Sequence, residues 1–154
     1  MKRVLDATPS RRLLAAAVIG AMGIVLGACT PAPAPAPEPA PGLVTEINAQ
    51  RAANGFAPLA TDAGLTAAAS AWAAHLATIG TLQHQDLTTF SGWSTVGETL
   101  EVGPCDQSDQ TIVGAWMNSP PHRSVLLSPN FSAIGVAKAC GADGRQWVVA
   151  DFGG

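Results

Sequence analysis

Hydrophobic residues recur at helical spacing in the middle of the chain. A first helix is predicted from about residue 43 to 53, where Asn54-Gly55 supplies a C-terminal stop. Thr61-Asp62 offers an N-cap for a second helix that ends at Gly80. The hydrophobic stripe of this second helix comprises Leu65, Ala69, Trp72, Leu76 and Ile79.

A third helix is predicted, with Asp106 or Ser108 as its N-cap. Its inward residues are Ile112, Val113, Trp116 and Met117. Pro120-Pro121 follow directly, and they should end the helix because proline lacks an N–H group and fixes φ at about −65°. His122 would then lie on an extended or turn-like segment, with its side chain held in a fixed place.

The last third of the chain has the shorter period of β-strands. Strands are predicted at residues 95–103, 133–140 and 145–152, and a hairpin loop at 141–144 joins the last two. In an extended segment Glu98 shares a face with Leu100 and Val102, so its carboxylate needs a buried partner, whereas Glu101 faces solvent. Helices followed by a terminal hairpin predict an α+β domain with helices packed on a small antiparallel sheet.

Residues 1–28 have the features of an export signal. Four basic residues precede an uncharged apolar run of 16 residues, which is short for a membrane span. The run ends at Leu26-Gly27-Ala28-Cys29, which resembles a bacterial lipobox whose cysteine becomes the lipid-modified first residue. A plain secretory signal cleaved elsewhere is the alternative. Ser10-Arg11-Arg12-Leu13-Leu14 matches part of a twin-arginine signal, so the export route stays open.

Residues 29–42 form the expected anchor and linker. Proline and alanine dominate this segment and Glu38 is its one charged residue, a composition that cannot bury a core and favours extended polyproline II. The segment should hold a domain away from a membrane surface, and a proline motif for a partner is the alternative. Residues 43–154 remain as one domain, large enough for a single hydrophobic core.

Charge and cysteine content limit the classes of partner and metal site that this chain can have. Residues 43–154 carry nine acidic and four basic side chains, which argues against nucleic acid or an anionic surface as a partner. Of the three cysteines, Cys29 has the predicted lipid modification, which leaves Cys105 and Cys140 as a disulfide pair or as two free buried thiols. Neither has a second cysteine nearby in the sequence, so a cysteine-based zinc site is not expected.

Three polar residues from separate segments are candidates for one site: His84, Glu98 and His122. His84 follows the second helix on a loop or strand edge, where functional residues are common, or it is a solvated surface histidine. Two imidazoles and a carboxylate suit a divalent metal such as zinc, and they also suit a metal-free hydrogen-bonded cluster. His75 is expected to pack rather than to bind a ligand, and Arg123 to form a structural ion pair.

The motifs and their order resemble the CAP superfamily of cysteine-rich secretory, antigen 5 and pathogenesis-related proteins, and are most similar to bacterial extracellular SCP-like domains. The similar segments are a first helix with Asn48 and Arg51, Leu82-Gln83-His84, Gly97-Glu98-Thr99-Leu100, residues 116–123, and Ile134-Gly135-Val136. The resemblance covers nearly all of residues 43–154. It implies an α-β-α sandwich with a surface cleft lined by two histidines and two acidic residues.

The resemblance assigns His84 and His122 to the two family histidines and Glu98 to the first glutamate. Ser119 stands where many family members have the second glutamate, and Thr99 stands where asparagine is usual. The missing carboxylate removes a negative charge that would hold a dication, so zinc binding by His84 and His122 is left open.

These features predict a monomeric, non-enzymatic binding module, either lipid-anchored on the outer side of the cytoplasmic membrane or secreted. The resemblance implies a lipid, sterol-like or envelope ligand in a cleft lined by His84, Glu98, His122 and Ser119. The alternative is a metal-dependent hydrolase or peptidase in which the two histidines hold zinc and Glu98 is a ligand or base. A serine hydrolase using Ser119 and His122 would lack the usual nucleophile-elbow motif.

Overall fold

The computed structural model describes residues 36–154, so the predicted signal peptide, Cys29 and most of the linker lie outside the described residues. The elements are β1 (Glu38–Pro39), α1 (Pro41–Ala53), β2 (Ala60–Thr61), α2 (Ala63–Ile79), β3 (Val96–Pro104), α3 (Asp109–Asn118), α4 (Pro120–Leu126), β4 (Ala133–Cys140) and β5 (Arg145–Gly153). A 3₁₀ turn lies at Leu87–Thr89. In this part of the chain, each helix is too short or too polar to cross a membrane.

The bounds of α2 and α3 follow from their capping residues. The side chain of Asp62 accepts a hydrogen bond from the Leu65 amide at 2.9 Å, and Gly80 ends α2 in the left-handed conformation at φ 66°. Ser108 caps α3 by accepting from the Thr111 amide at 3.2 Å. The predicted caps of both helices are confirmed.

The prediction that Pro120-Pro121 send His122 into an extended segment is wrong. The chain breaks its helical path at Ser119 (φ −98°, ψ 112°) and starts a new helix with the two prolines in its first positions. Proline is favoured there because the first N–H groups of a helix have no acceptor within it. His122 therefore lies in the first turn of α4.

The sheet has the order β1-β4-β5-β3, with antiparallel pairing between these neighbours. The predicted hairpin of β4 and β5 is present, and β2 adds a short parallel pairing with β4. Helix α2 packs on one face of the sheet, where its buried alanines and Leu76 meet Trp147 and Val149. Helices α1, α3 and α4 cover the other face, where Trp116 and Phe152 are fully buried. The predicted α+β fold, an α-β-α sandwich, is confirmed.

The folded part begins before Leu43. Glu38 and Pro39 pair with Lys138 and Ala137 of β4, and the amide of Ala40 donates to the carbonyl of Val136 at 3.0 Å. Residues 38–42, which the sequence places in the linker, therefore contribute a strand pair and the first residues of α1.

The predicted disulfide between Cys105 and Cys140 is present. It joins the residue after β3 to the last residue of β4, and β5 lies between these strands. Closing a loop of this length is expected to stabilise the fold by roughly 3–4 kcal/mol on the chain-entropy model.

Arg51 joins the first helix to the end of α4. Its side chain is buried, at 1% exposure, and Nη1 donates to the carbonyl oxygens of Leu126 at 2.7 Å and Ser128 at 2.9 Å. Nε donates to the carbonyl of Ala57 at 2.8 Å. The guanidinium thus satisfies carbonyl groups at the end of α4 and in the segments that follow α1 and α4, which explains why an arginine occupies the buried face of α1.

Two polar side chains, Arg123 and Glu101, differ from their predicted surroundings, whereas His75 packs as expected. Arg123 donates to the Asn54 side chain at 3.2 Å, whereas the ion pairs within residues 36–154 are His84–Glu98, Lys138–Asp109 and Arg145–Asp143. Glu101 is half-buried rather than solvated, and burial raises its pKa. His75 is exposed and stacks on the ring of Trp72 with centroids 4.6 Å apart, which is a packing role.

Candidate functional site

Two carboxyl groups lie side by side in the sheet. Glu98 of β3 and Asp151 of β5 occupy opposite positions in the register, on the face that α2 covers. Both residues are buried, and Asp151 has 0% exposure. Burying two acidic groups together is unfavourable unless hydrogen bonds or protonation compensate for the lost water.

Gln85 bridges the two carboxyl groups. Its Nε2 donates to Glu98 Oε2 at 2.7 Å and to Asp151 Oδ1 at 2.8 Å. Its backbone amide lies 3.3 Å from Glu98 Oε1. Because both N–H groups of the side-chain amide point at carboxyl oxygens, the orientation of the amide is fixed.

The surroundings of Asp151 favour its protonated form at neutral pH. Burial first, and the neighbouring Glu98 carboxylate second, raise the pKa of Asp151 to about 8, although the hydrogen bond from Gln85 opposes the shift. The second oxygen, Oδ2, is buried and has no hydrogen-bond partner among the described residues. The pair therefore carries one negative charge, on the Glu98 side.

His84 is held by this charge. Its Nδ1 lies 2.5 Å from Glu98 Oε1, where the side-chain exposures are 62% for His84 and 0% for Glu98. The predicted buried partner of Glu98 is thus His84 together with Gln85. An exposed imidazole oriented by a buried carboxylate keeps its second nitrogen, Nε2, available to a ligand.

His122 lies near His84, and Ser119 holds the start of the same helix. Burial first, and the electrostatic effect of His84 second, lower the pKa of His122, which favours the neutral form of this half-buried imidazole. Ser119 contacts the backbone: its amide donates to the Trp116 carbonyl at 3.1 Å and its carbonyl accepts from Arg123 at 2.8 Å. The structure therefore joins His84 to Glu98 directly and places His122 near enough to His84 for an electrostatic effect on its pKa, while Ser119 is the N-cap residue of α4.

The donor groups as arranged do not fit a zinc ion. No group of three His, Cys, Asp or Glu side chains within residues 36–154 is placed to hold a metal. Hydrogen bonds from His84 and Gln85 already occupy both oxygens of Glu98. A metal would have to displace these contacts before His84 Nδ1 or Glu98 became a ligand.

Gln85 and Asp151 were missed by sequence reasoning. Gln85 directly follows His84, which is the local signal that could have drawn attention to it. Asp151 is polar in an otherwise apolar strand, Trp147 to Phe152, and an inward polar residue in such a strand indicates a site. Its position opposite Glu98 follows only from the strand register.

A model of the CAP family, described as the cysteine-rich secretory protein family, matches residues 44–152. The uncharacterized protein YkwD of Bacillus subtilis is 33% identical over 99 residues, which are 58% of this chain and 38% of that protein. The chain thus matches well under half the length of this relative.

Two solved structures have the same fold. An outer surface protein of Borrelia burgdorferi aligns with a TM-score of 0.65 at 24% identity, over 73% of this chain and 90% of that one. An extracellular protein containing an SCP domain from Bacillus anthracis aligns with a TM-score of 0.58 at 20% identity, over 73% and 39% of the two chains.

Proposed function

Because this chain belongs to the cysteine-rich secretory protein family, we propose that it is a non-enzymatic binding module of the cell envelope. The cleft beside His84 and His122 binds a lipid, sterol-like or other envelope ligand. The protein acts as a monomer, needs no metal cofactor and has no nucleic-acid partner. The acidic balance of the domain supports the last point, because a phosphate backbone would be repelled.

This proposal rests on the hydrogen bonds that already occupy the Glu98 carboxylate. A hydrolase of the alternative kind needs Glu98 as a zinc ligand or as a base that reaches a water or substrate proton. In the structure this carboxylate is fully buried and accepts hydrogen bonds from His84 and Gln85. The role of Glu98 is therefore to orient the His84 imidazole. The oriented imidazole offers a ligand one polar contact in a fixed position, and binding sites typically have only a few such polar groups.

Export and membrane attachment are part of the same proposal. Residues 1–28 have the pattern of a signal peptide and Cys29 that of a lipobox cysteine. The two structural relatives are described as an outer surface protein and an extracellular protein, which supports export. A lipid on Cys29 would tether the protein to the membrane, and the Pro/Ala linker would hold the domain away from the membrane surface, with the cleft open to envelope ligands.

The binding function is tested with dehydroergosterol and a fluorescent fatty acid as lipid probes. We expect saturable fluorescence changes that EDTA does not alter, and about fivefold weaker binding by His84→Ala, since one hydrogen bond is lost. His75→Ala, which removes an exposed histidine from the outer side of α2, is the matched control and should bind as the wild type does. Casein and p-nitrophenyl acetate should be hydrolysed no faster than in buffer.

Two results would contradict the binding function. Hydrolysis that EDTA abolishes and zinc restores would establish the metal-dependent hydrolase instead. Equal binding of both lipid probes by the wild type and by His84→Ala would show that the cleft does not contain the lipid site.

The lipid anchor is tested by growing cells with an alkyne analogue of palmitate. The wild type should incorporate the label and fractionate with membranes, whereas Cys29→Ala should lose the label, because the acylated thiol is absent. Thr30→Ala changes the next residue and should keep both properties. Label retained by Cys29→Ala would disprove acylation at this position.

A further inference from the structure

A cavity of about 430 Å³ lies between the first turn of α2 and the segment that follows His84. Its lining includes Asp62, Leu65, Gln85, Phe90 and Trp93. Neither His84 nor His122 lines it, so it is separate from the cleft of the proposed function. Its size falls within the range of about 300–1,000 Å³ that is typical of small-molecule sites.

The polar lining of this cavity offers hydrogen-bond acceptors. Both N–H groups of the Gln85 amide are committed to Glu98 and Asp151, which turns Oε1 away from the carboxyl pair. Asp62 uses Oδ1 to cap α2. No residue among 36–154 donates a hydrogen bond to Gln85 Oε1 or Asp62 Oδ2. A ligand that fills the cavity must therefore supply hydrogen-bond donors, because burying these acceptors unpaired would be costly.

The charge of the cavity disfavours anions, because the Asp62 carboxylate would repel them. The dipole of α2 offsets part of this negative charge, since Asp62 is the N-cap. A neutral ligand that donates hydrogen bonds avoids the repulsion and pairs the free acceptors.

The apolar lining offers a flat surface. Trp93 packs against the backbone of Gly153, where an added Cβ would lie only 2.6 Å from the ring atom Cε3. This contact fixes the indole, which also lines the cavity together with Phe90 and Leu65. A rigid aromatic plane beside hydrogen-bond acceptors suits a ring that has one apolar face and donors along its edge.

From these features we propose that the cavity binds the pyranose ring of a neutral saccharide. The apolar face of the ring stacks on Trp93, and hydroxyl groups along its edge donate to Gln85 Oε1 and Asp62 Oδ2. This site does not depend on the lipid-binding cleft, so either function can fail without the other. A glycan chain and a glycolipid head group both present such a ring.

The test is a titration of the ¹⁵N-labelled protein, with its disulfide formed, with cellobiose followed by NMR. Saturable shifts are expected in residues 85–93 and in the first turn of α2. Trp93→Ala should abolish them, while Thr78→Ala, at an exposed position in the last turns of α2, should bind as the wild type does. Asp62→Asn keeps a capping oxygen but replaces the second acceptor by a donor, and it should weaken binding about fivefold, the effect of one hydrogen bond.

The source of the ring is distinguished by two further probes. Tighter binding of cellotetraose than of cellobiose would assign the site to a glycan chain. Tighter binding of octyl β-glucoside, below its micelle concentration, than of methyl β-glucoside would assign it to a glycolipid head group. The absence of saturable shifts with any of these sugars up to on the order of 50 mM would overturn the proposal, since it places binding well above the millimolar range. Unchanged binding by Trp93→Ala would overturn it too.

Discussion

Gly135→Ala should destabilise the domain by at least about 3 kcal/mol, because a buried overlap with backbone cannot relax by a rotamer change. Helix α2 crosses β4 so closely that a Cβ at position 135 would lie 2.6 Å from the carbonyl oxygen of Leu65, and closer still to the next peptide atoms of the helix. Accommodating the methyl group requires α2 to move off the sheet. The measurement is chemical denaturation followed by tryptophan fluorescence.

Gly114→Ala is the matched control for this prediction. Gly114 lies inside α3 and a Cβ there would meet no other group within 4 Å. The same change should therefore stabilise the protein by about 0.5–1 kcal/mol, since alanine loses less backbone entropy than glycine in a helix. Equal stability of Gly135→Ala and the wild type would show that α2 does not pack on β4 at this distance.

A displacement of α2 would also disturb the Glu98–Asp151 carboxyl pair and the proposed saccharide cavity. Gly135 is the register partner of Asp151, and Leu65 lines the proposed saccharide cavity. Any Gly135→Ala protein that stays folded should therefore bind cellobiose more weakly. The glycine of the Ile134-Gly135-Val136 segment is thus required by the close approach of helix and sheet rather than by a turn.

Asp151→Asn should make the protein more stable than the wild type at pH 8, by an amount on the order of a few kcal/mol, and equally stable near pH 4. The folded state raises the pKa of Asp151 to about 8 through burial and the adjacent Glu98 carboxylate. Between about pH 4 and pH 8 the folded protein therefore keeps a proton that the unfolded chain releases. Stability from this group is full below the unfolded pKa and decreases as pH rises through the interval.

Asparagine is a neutral analogue of the protonated Asp151 side chain. It still accepts a hydrogen bond from Gln85, and it cannot ionise beside Glu98. The free energy of unfolding is measured by urea denaturation from pH 4.5 to pH 8.5. The wild type should lose up to about 1.4 kcal/mol per pH unit from this group, and Asp151→Asn should lack that contribution. Asp106→Asn removes an exposed carboxyl group and should keep the wild-type slope. Parallel pH profiles for the wild type and Asp151→Asn would refute the protonated state.

The helices could be predicted largely from local patterns. The spacing of Leu65, Ala69 and Leu76 identified α2, and Asp62 and Gly80 marked its two ends. Local chemistry was ambiguous at Pro120-Pro121, because the same residues can end one helix or begin the next. Whether α4 forms depends on its packing against α3 and on the hydrogen bonds from Arg51 at its end. Arg51 is distant from α4 in the sequence, so local patterns do not reveal this contact.

The candidate site, too, could be predicted only in part. The sequence identified Glu98 as a carboxylate on an apolar face and His84 as a loop histidine, and the structure brings the two into contact. It gave no sign that Gln85 reaches across two strands or that Asp151 lies opposite Glu98. The raised pKa of Asp151 is a consequence of burial, which depends on α2 closing over that face of the sheet.

By itself, the sequence determined the caps of α2 and α3, the hairpin of β4 and β5 and the family to which the chain belongs, because capping, periodicity and motifs act over a few residues. It left the two cysteines as a disulfide pair or as two free thiols. Only the tertiary structure decided which side chains share a hydrogen bond or a charge. Residues 98 and 151 come together through the strand register, and that register is set by packing across the whole sheet.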